Sequence, residues 1–245
     1  MRNLKHTGVH RNMKYLIYLL AAGLVGLSMY SLFGQSAMNL LDDWRKGDDI
    51  EAVEMAFMQN RQFTDQSVAN YALVSNIDGK IAVEAEVLPD KENYRDFMDG
   101  SLPDSGDTAF GIISVDDVGL KEPVYTGPAT PEQLDKGVSL VEGDESLFDQ
   151  NISIAGHRVE GKDIHFNQLA KAKEGMDVKL KLVDHTRTYK ITRIHSVDPG
   201  ETEILAEYNG PDRLTLITCD DYDYESGLFM TRTVFVAELV SVDFA

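Results

Sequence analysis

Three residue types that together can break and remake an amide bond stand at the ends of apolar segments of this chain. Cys219 is the only cysteine in 245 residues and closes the segment Leu-Thr-Leu-Ile-Thr-Cys. Arg232 follows thirteen positions later, and His157 comes directly after Ile-Ala-Gly in another apolar segment. A thiol nucleophile, an imidazole acid–base group and a guanidinium that binds an oxyanion are the parts needed for covalent acyl transfer. The combination favours a cysteine nucleophile.

Each of these residues also has a non-catalytic interpretation. A free cysteine is often a small buried apolar residue, and a single histidine or arginine is often structural. The combination nevertheless favours catalysis, because strand ends and adjoining loops are where reactive side chains become accessible. Cys219 ends its apolar segment against Asp220 and Asp221, whose negative charge would disfavour a thiolate.

The N-terminus has the composition of a membrane anchor. Residues 15–33 contain no charged residue, and such a length suffices to cross a hydrocarbon core of about 30 Å. The first 33 residues carry four basic residues and no acidic one, so the positive-inside rule predicts a cytoplasmic tail at 1–14 and an extracellular remainder. The alternative, a cleaved signal peptide, has a shorter apolar region of about 7–15 residues. We therefore expect residues 15–33 to be a retained transmembrane signal-anchor in the cell membrane. Outside the cell, a single cysteine has no partner for a structural disulfide.

Beyond the anchor, the pattern predicts a stalk and then a folded domain. Residues 34–105 form the predicted extracellular stalk, with helical spacing over 37–61 that is interrupted near Gly47. Residues 106–245 contain short apolar or alternating segments between turn signals, which is typical of a mostly-β sandwich or barrel. The predicted strands are 109–115, 123–125, 151–155, 177–183, 188–196, 213–219 and 233–240, with short helices at 131–137 and 166–173.

The charge balance excludes two classes of partner. The chain has 23 Lys and Arg against 41 Asp and Glu, a formal net charge of −18. Nucleic acid and anionic membrane surfaces both require a basic face, so neither is expected to bind the domain. One cysteine and scattered histidines also supply no closed ligand set for zinc.

The segments SIAGH (153–157) and TLITCDDY (215–222), together with the arginine thirteen residues after the cysteine, resemble the sortases. These are cysteine transpeptidases that attach surface proteins to the envelope of Gram-positive bacteria. The similarity runs from about Gly111 to Val240, includes GPATPEQL (127–134) and GVSL (137–140), and is greatest to class A. The resemblance implies a closed sortase-type β-barrel with short helices over residues 106–245, preceded by the transmembrane helix and a partly helical stalk.

The resemblance also implies a role for each reactive residue. Cys219 would be the nucleophile, His157 the general acid–base and Arg232 the residue that steadies substrate and oxyanion, with thiol and imidazole mostly neutral at rest. The substrates would be surface proteins with an LPXTG-type signal, cleaved between Thr and Gly, and the amine of a lipid II-type cell-wall precursor. Two alternatives stay open: a secreted cysteine hydrolase, and a membrane-anchored binding module that needs none of the three residues.

An apolar groove for the Leu-Pro part of the peptide is a further implication of the resemblance, since such a peptide requires apolar walls with few polar groups. Phe229 stands where relatives carry a tryptophan. The matching substrate positions are Ala129, Pro131, Leu134, Val141, Ala155, Ile204, Leu205, Ile217, Thr218 and Phe229.

A calcium site is the last implication. An acidic loop precedes the strand that ends at His157, and composition alone fits a solvated acidic loop. Calcium-responsive class A sortases bind the ion through this loop and the loop before the cysteine strand, and Ca²⁺ takes six to eight oxygen ligands. The resemblance therefore implies that Ca²⁺ acts as an activator outside the catalytic step. The implied ligands are Glu142, Glu145, Asp149, Asn151 and Glu207.

Overall fold

The computed structural model of the protein describes residues 40–59, 91–96, 98, 100–103, 106–158, 165–206, 210–223 and 228–244. The predicted membrane segment at 15–33 and the candidate calcium ligand Glu207 lie outside these residues. No helix in the described ranges is both long enough and apolar enough to span a membrane.

The strands of the described chain form a closed barrel in the order β1-β2-β3-β4-β7-β8-β6-β5, and β5 pairs back onto β1. The pairs β2–β3 and β4–β7 are parallel, and the other neighbours are antiparallel. The prediction of a mostly-β barrel is confirmed. The strands are β1 Ala109–Val115, β2 Leu120–Tyr125, β3 Val138–Leu140, β4 Asn151–Gly156, β5 Asp177–Lys181, β6 His185–Val197, β7 Arg213–Asp223 and β8 Leu228–Phe244.

Alternation along the strands decides which side chains fill the barrel. Ile152 and Ile154 of β4, Leu214 and Leu216 of β7 and Phe235 of β8 are buried in one hydrophobic core. Full burial of each such side chain contributes about 1.5–3 kcal/mol. Because successive residues of a strand point to opposite sides, the core residues of β4 and β7 fix the direction of the residues between them.

Short helical segments connect the strands. Helix α2, Pro131–Leu134, begins after Thr130, whose hydroxyl accepts a hydrogen bond of 3.2 Å from the backbone N–H of Gln133. Proline at the first helical position has no N–H to leave unpaired, so the local sequence fits a helix start. Two further turns are 3₁₀ helices at Gln168–Lys171 and Glu203–Leu205.

Helix α1 covers residues 40–59 and continues through Gly47, where the sequence indicates an interruption. Its residues from Lys46 onward belong to the same compact unit as the barrel. Val53 and Phe57 pack against Ile112 of β1, and the Lys46 ammonium lies 2.5 Å from the buried carboxylate of Glu122. This part of the predicted stalk therefore contacts the barrel directly.

A second N-terminal segment, which includes Tyr94, also enters the core. The Tyr94 hydroxyl donates a hydrogen bond of 2.7 Å to Asp212, and its ring lies 4.7 Å from the guanidinium of Arg187. Arg187 is 1% exposed and donates to His185 Nε2 at 2.9 Å and to the carbonyl of Leu147 at 2.8 Å. We call Tyr94, Leu147, His185 and Arg187 the buried arginine cluster. It ties residues far apart in sequence to one point of the fold.

Candidate active site

Strand register brings the three predicted catalytic residues to adjacent positions. In the parallel pair β4–β7, Gly156 is opposite Thr218, so that His157 leaves β4 beside Cys219. In the antiparallel pair β7–β8, Cys219 is directly opposite Arg232. Neighbouring strands are about 4.8 Å apart. A nucleophile, an acid–base group and a permanent cation therefore lie on three neighbouring segments at one end of the barrel wall.

Cys219 is half-buried and lies on the outer side of β7, because its neighbour Thr218 is buried on the barrel side. Burial raises the pKa of the Cys219 thiol above its ordinary value, and the positive charge of Arg232 opposes that rise. The pKa of the thiol is thus above neutral, and the resting cysteine is protonated at neutral pH. Activation requires a base.

His157 is placed to be that base. Its imidazole is about one-third exposed, and Nε2 lies 3.9 Å from a carboxylate oxygen of Asp135, beyond hydrogen-bond distance. Its backbone carbonyl accepts a hydrogen bond of 3.0 Å from the backbone N–H of Phe166. The main chain is therefore held at His157, while no carboxylate of the described residues is hydrogen-bonded to the ring as in a Ser-His-Asp triad.

Arg232 makes one side-chain hydrogen bond with the residues that the structure describes. Its Nη1 donates to the carbonyl of Thr231 at 3.1 Å, and the side chain is half-buried. A guanidinium has five N–H donors and keeps its charge at any physiological pH. Arg232 can therefore offer several N–H groups to an oxyanion that forms next to Cys219.

Partly exposed apolar side chains lead up to the thiol. Ala155 of β4 is opposite Ile217 of β7, and each stands two residues before its catalytic neighbour on the same side of the sheet. The predicted substrate residue Thr218 is 2% exposed, and its side chain lies on the barrel side of β7. Among the other predicted positions, Pro131 is exposed, and Ala129, Leu134, Val141, Ile204, Leu205 and Phe229 are partly exposed.

The acidic loop between β3 and β4 is built around Glu145. The two carboxylate oxygens of Glu145 accept hydrogen bonds from the backbone N–H groups of Ser153, at 2.8 Å, and Glu142, at 3.0 Å. Burial raises the pKa of Glu145 to about 7, although these hydrogen bonds act in the opposite direction. Asp149 accepts from the backbone of Ser146 at 2.7 Å.

Asn151, another predicted calcium ligand, is engaged within the protein. Its Oδ1 accepts hydrogen bonds from Thr215 at 2.7 Å and Arg213 at 3.1 Å, and its Nδ2 donates to the carbonyl of Ile204 at 3.2 Å. Within the described ranges, no group of three or more His, Cys, Asp or Glu side chains is arranged to hold a metal ion. The calcium site stays a prediction.

The sequence interpretation missed the partners of Asp220. This carboxylate forms an ion pair with Arg158 and accepts a hydrogen bond of 2.8 Å from the hydroxyl of Thr233. The signal in the sequence was that each of these polar residues directly follows a predicted catalytic residue. The charge of Asp220 next to the thiol is therefore offset by Arg158.

Comparison with known proteins identifies the family. The family model described as a sortase domain matches residues 113–240. The chain belongs to the sortase family. This sortase is 48% identical to sortase A of Staphylococcus aureus over 182 residues, which are 71% of this chain and 87% of that protein. It is 29% identical to sortase A of Bacillus anthracis over 150 residues, covering 56% of this chain and 70% of that one.

Solved structures agree with the sortase fold. A structure of sortase A from Listeria monocytogenes has 25% sequence identity and a TM-score of 0.51, covering 56% of this chain and 90% of that one. A structure of sortase C-3 from Streptococcus pneumoniae has 28% sequence identity and a TM-score of 0.52, covering 58% of this chain and 67% of that one. The predicted family and class are confirmed: this is a class A sortase, a cysteine transpeptidase.

Proposed function

We propose that this sortase cleaves an LPXTG-type sorting signal between Thr and Gly and transfers the acyl part to the amine of a lipid II-type cell-wall precursor. The observation that carries the proposal is the register of β7, which places Cys219 opposite Arg232 and beside the end of β4 at His157. The partly exposed residues Ala155 and Ile217 give the Leu-Pro part of the peptide an apolar path to the thiol.

The first half-reaction forms a thioester. His157 accepts the proton of the Cys219 thiol while sulfur attacks the carbonyl carbon of the threonine. The carbonyl oxygen becomes an oxyanion, and N–H groups of Arg232 donate hydrogen bonds to it. When the intermediate collapses, the C–N bond breaks and His157 delivers its proton to the departing glycine amine. The threonine acyl group is left on sulfur.

The second half-reaction reverses these roles with a new amine. The nitrogen of the incoming amine attacks the thioester carbon while His157 takes a proton from that amine. Arg232 again donates hydrogen bonds to the oxyanion. Collapse breaks the C–S bond, forms the new amide and returns the proton to sulfur. Water in place of the amine would give hydrolysis, so the nature of the acceptor separates a transpeptidase from a cysteine hydrolase.

The test uses the full-length protein in detergent with a fluorescent Leu-Pro-X-Thr-Gly peptide, with and without triglycine, followed by mass spectrometry. We expect a threonyl–triglycine product from the native protein and none from Cys219→Ala. The circular dichroism spectrum of Cys219→Ala should match that of the native protein, which shows that the variant is folded. Release of only the peptide that ends in a threonine carboxylic acid, even with triglycine present, would instead favour the hydrolase. Intact peptide in every sample would favour a binding module.

We also propose that residues 15–33 remain as the membrane anchor, with residues 1–14 in the cytoplasm and the catalytic domain outside. The charge-free segment and the basic residues before it support this topology. Protease added to intact protoplasts should digest the domain and spare the N-terminal tail. A shortened, soluble protein in the culture medium would contradict the proposal.

Finally, we propose that Ca²⁺ activates this sortase without entering the catalytic step. Glu142, Glu145, Asp149 and Glu207 would supply carboxylate oxygens, the ligands that Ca²⁺ prefers, and Asn151 would support them. Burial of the Glu145 carboxyl raises its pKa to about 7, so a cation that offsets its charge would be favoured there. These oxygen donors fit Ca²⁺. The carboxylates would hold the ion, and the ion would offset their negative charge and order the acidic loop.

The acidic loop lies against a predicted wall of the peptide groove. The backbone N–H of Ala129 donates to the carbonyl of Val141 at 3.1 Å, and a Cβ atom added to Gly127 would lie 2.1 Å from the carbonyl oxygen of Glu142. The two backbone segments are therefore in direct contact. A cation that orders the acidic loop would order the wall at Ala129, which reduces the entropy lost when the peptide binds.

A further inference from the structure

Each catalytic residue of this sortase is followed in sequence by a polar residue: Arg158 after His157, Asp220 after Cys219 and Thr233 after Arg232. These three form one hydrogen-bonded group. Nη1 of Arg158 contacts Oδ1 of Asp220 in an ion pair, and the Thr233 hydroxyl donates to Oδ2 of Asp220 at 2.8 Å. Both carboxylate oxygens of Asp220 are therefore engaged, one from each flanking segment.

The group lies behind the catalytic residues, on the barrel side of the sheet. Arg158, Asp220 and Thr233 line a cavity of about 230 Å³ together with Thr218 and Phe235, whose side chains point into the barrel. Cys219 is on the opposite side of β7, and Arg232 faces it from β8. The hydrogen-bonded group and the catalytic residues thus occupy opposite sides of the same three segments.

The cavity explains why polar contacts are needed there. Elsewhere in the barrel, apolar side chains of β4, β7 and β8 pack closely in the core. Beside Asp220, the cavity interrupts that side-chain packing, and the side-chain contacts of Asp220 add to the β7–β8 backbone pairing, which continues to Asp223 and Leu228. The contacts of Asp220 reach both β8 and the segment that follows β4, which are the segments that carry Arg232 and His157.

We propose that Arg158, Asp220 and Thr233 are positioning residues that hold His157, Cys219 and Arg232 at reacting distance and keep the charge of Asp220 away from the thiolate. The proposal rests on the transpeptidase function proposed above. A carboxylate one residue from the nucleophile disfavours the thiolate unless a cation offsets it. Among the described residues, other titratable or charged side chains near this corner include His157, Arg232 and Asp135.

The test compares Arg158→Ala, Asp220→Asn and the double variant in full-length protein. Two measurements are made: kcat and KM with the peptide and triglycine, and the rate of Cys219 alkylation by iodoacetamide at fixed pH. In Arg158→Ala, the Asp220 carboxylate without the Arg158 cation should slow alkylation roughly fivefold and kcat roughly tenfold, with KM unchanged within about twofold. Adding Asp220→Asn to Arg158→Ala should restore alkylation but not kcat.

Conservative variants separate positioning from general damage. Thr233→Val should lower kcat roughly threefold, and Thr233→Ser should restore it, because only the latter keeps the hydroxyl donor. Arg158→Lys should alkylate at the native rate, since it retains the charge. The matched control is Asp177→Ala, which removes an ion pair of similar exposure with Lys190 at the β5–β6 edge and should change neither rate.

A native kcat in both Arg158→Ala and Thr233→Val would overturn the proposal. A rise in KM alone would also overturn it, because Arg158 would then act on the peptide. Arg158→Ala should shift the melting temperature by no more than about 3 °C, as expected for a partly exposed ion pair. If the peptide is never turned over, the proposed substrate is contradicted. The role of Arg158 is still tested in that case, because the rate of Cys219 alkylation is measured without substrate.

Discussion

Two arginines of this sortase show how the same side chain serves reaction and structure. Arg232 is half-buried beside the thiol, and its described hydrogen bond is to the carbonyl of Thr231, within its own strand. Arg187 is 1% exposed and is held by a nitrogen of His185 on its own strand, and by a carbonyl and an aromatic ring from two other parts of the chain.

The difference lies in where the N–H donors are directed. The donors of Arg187 satisfy buried acceptors, so that its loss would leave those acceptors unpaired in a low-dielectric environment. Arg232 faces the nucleophile, and its remaining donors are available to a transient negative charge. Burial and prior engagement of the donors, rather than residue type, distinguish the structural arginine from the reactive one.

The largest expected effect is on Arg232. Arg232→Ala should lower kcat/KM by about three orders of magnitude, close to 4 kcal/mol of transition-state stabilisation, while the free energy of unfolding stays unchanged. Arg232→Lys should recover only a small part, because an ammonium lacks the planar fork of donors. Peptide-cleavage kinetics and urea unfolding measure the two quantities. A loss of stability that matched the loss of rate would remove the distinction between the two arginines.

Arg187 should show the opposite behaviour. Arg187→Ala leaves the Leu147 carbonyl and His185 Nε2 without their donor and opens a cavity, which should lower the free energy of unfolding by about 3 kcal/mol. The kcat of the folded fraction should stay within about threefold of the native value, since no atom of the cluster reaches the thiol. Urea unfolding followed by far-UV circular dichroism provides the measurement. Full stability together with lost activity would contradict this assignment.

The smallest expected effect concerns the acidic loop, which the Arg187–Leu147 hydrogen bond connects to the core. Because the pKa of Glu145 is raised to about 7 from its ordinary 4.5, the carboxyl is mostly protonated at pH 6 and mostly charged at pH 8. The proposed Ca²⁺ site requires the charged form, so the Ca²⁺ affinity should increase severalfold across this interval and the KM of the peptide should decrease with it. Isothermal titration at several pH values measures this dependence.

The control for that prediction is Glu145→Gln, which keeps the shape and cannot charge. It should abolish the pH dependence, and Glu145→Ala with Asp149→Ala should remove the calcium response altogether. Without calcium, the free energy of unfolding depends on pH in the opposite direction. Burial of the neutral Glu145 carboxyl stabilises the fold fully below pH 4.5, and this contribution is lost as the pH rises through 7. Equal rates in calcium and in chelator would contradict the calcium proposal.

The barrel, and the positions of the residues proposed to be catalytic, were largely accessible from the sequence, for identifiable reasons. Segment 109–115 was predicted with its observed bounds, because its residues combine β-forming types with clear turn signals on both sides. Segments 188–196 and 233–240 were predicted too short, since β6 and β8 extend into flanking residues of mixed polarity that pair at the ends of the strands. The family motifs identified Cys219, His157 and Arg232, and the register of β4, β7 and β8 then accounts for their proximity.

Contacts between distant segments could not be predicted in the same way. The three-residue strand β3 is too short to show a period. The packing of Val53 and Phe57 on β1, in a segment that the sequence assigned to a stalk, depends on tertiary contacts that leave no local pattern. The same holds for the Arg158–Asp220 ion pair, which joins residues 62 positions apart. Charge pairing across a fold becomes visible only once the register is known.

The register of β7 carries a further consequence. Cys219 and Asp220 are neighbours that point to opposite sides of one strand, and the same holds for Arg232 and Thr233 on β8. A one-residue slip of β7 would turn Asp220 outward toward the peptide and Cys219 inward toward the barrel. It would also move Leu214 and Leu216 out of the core, so the slipped strand would lose two fully buried leucines. Burial of the alternate apolar residues of β7 therefore fixes its register, which keeps Cys219 on the outer side of the strand and Asp220 on the barrel side.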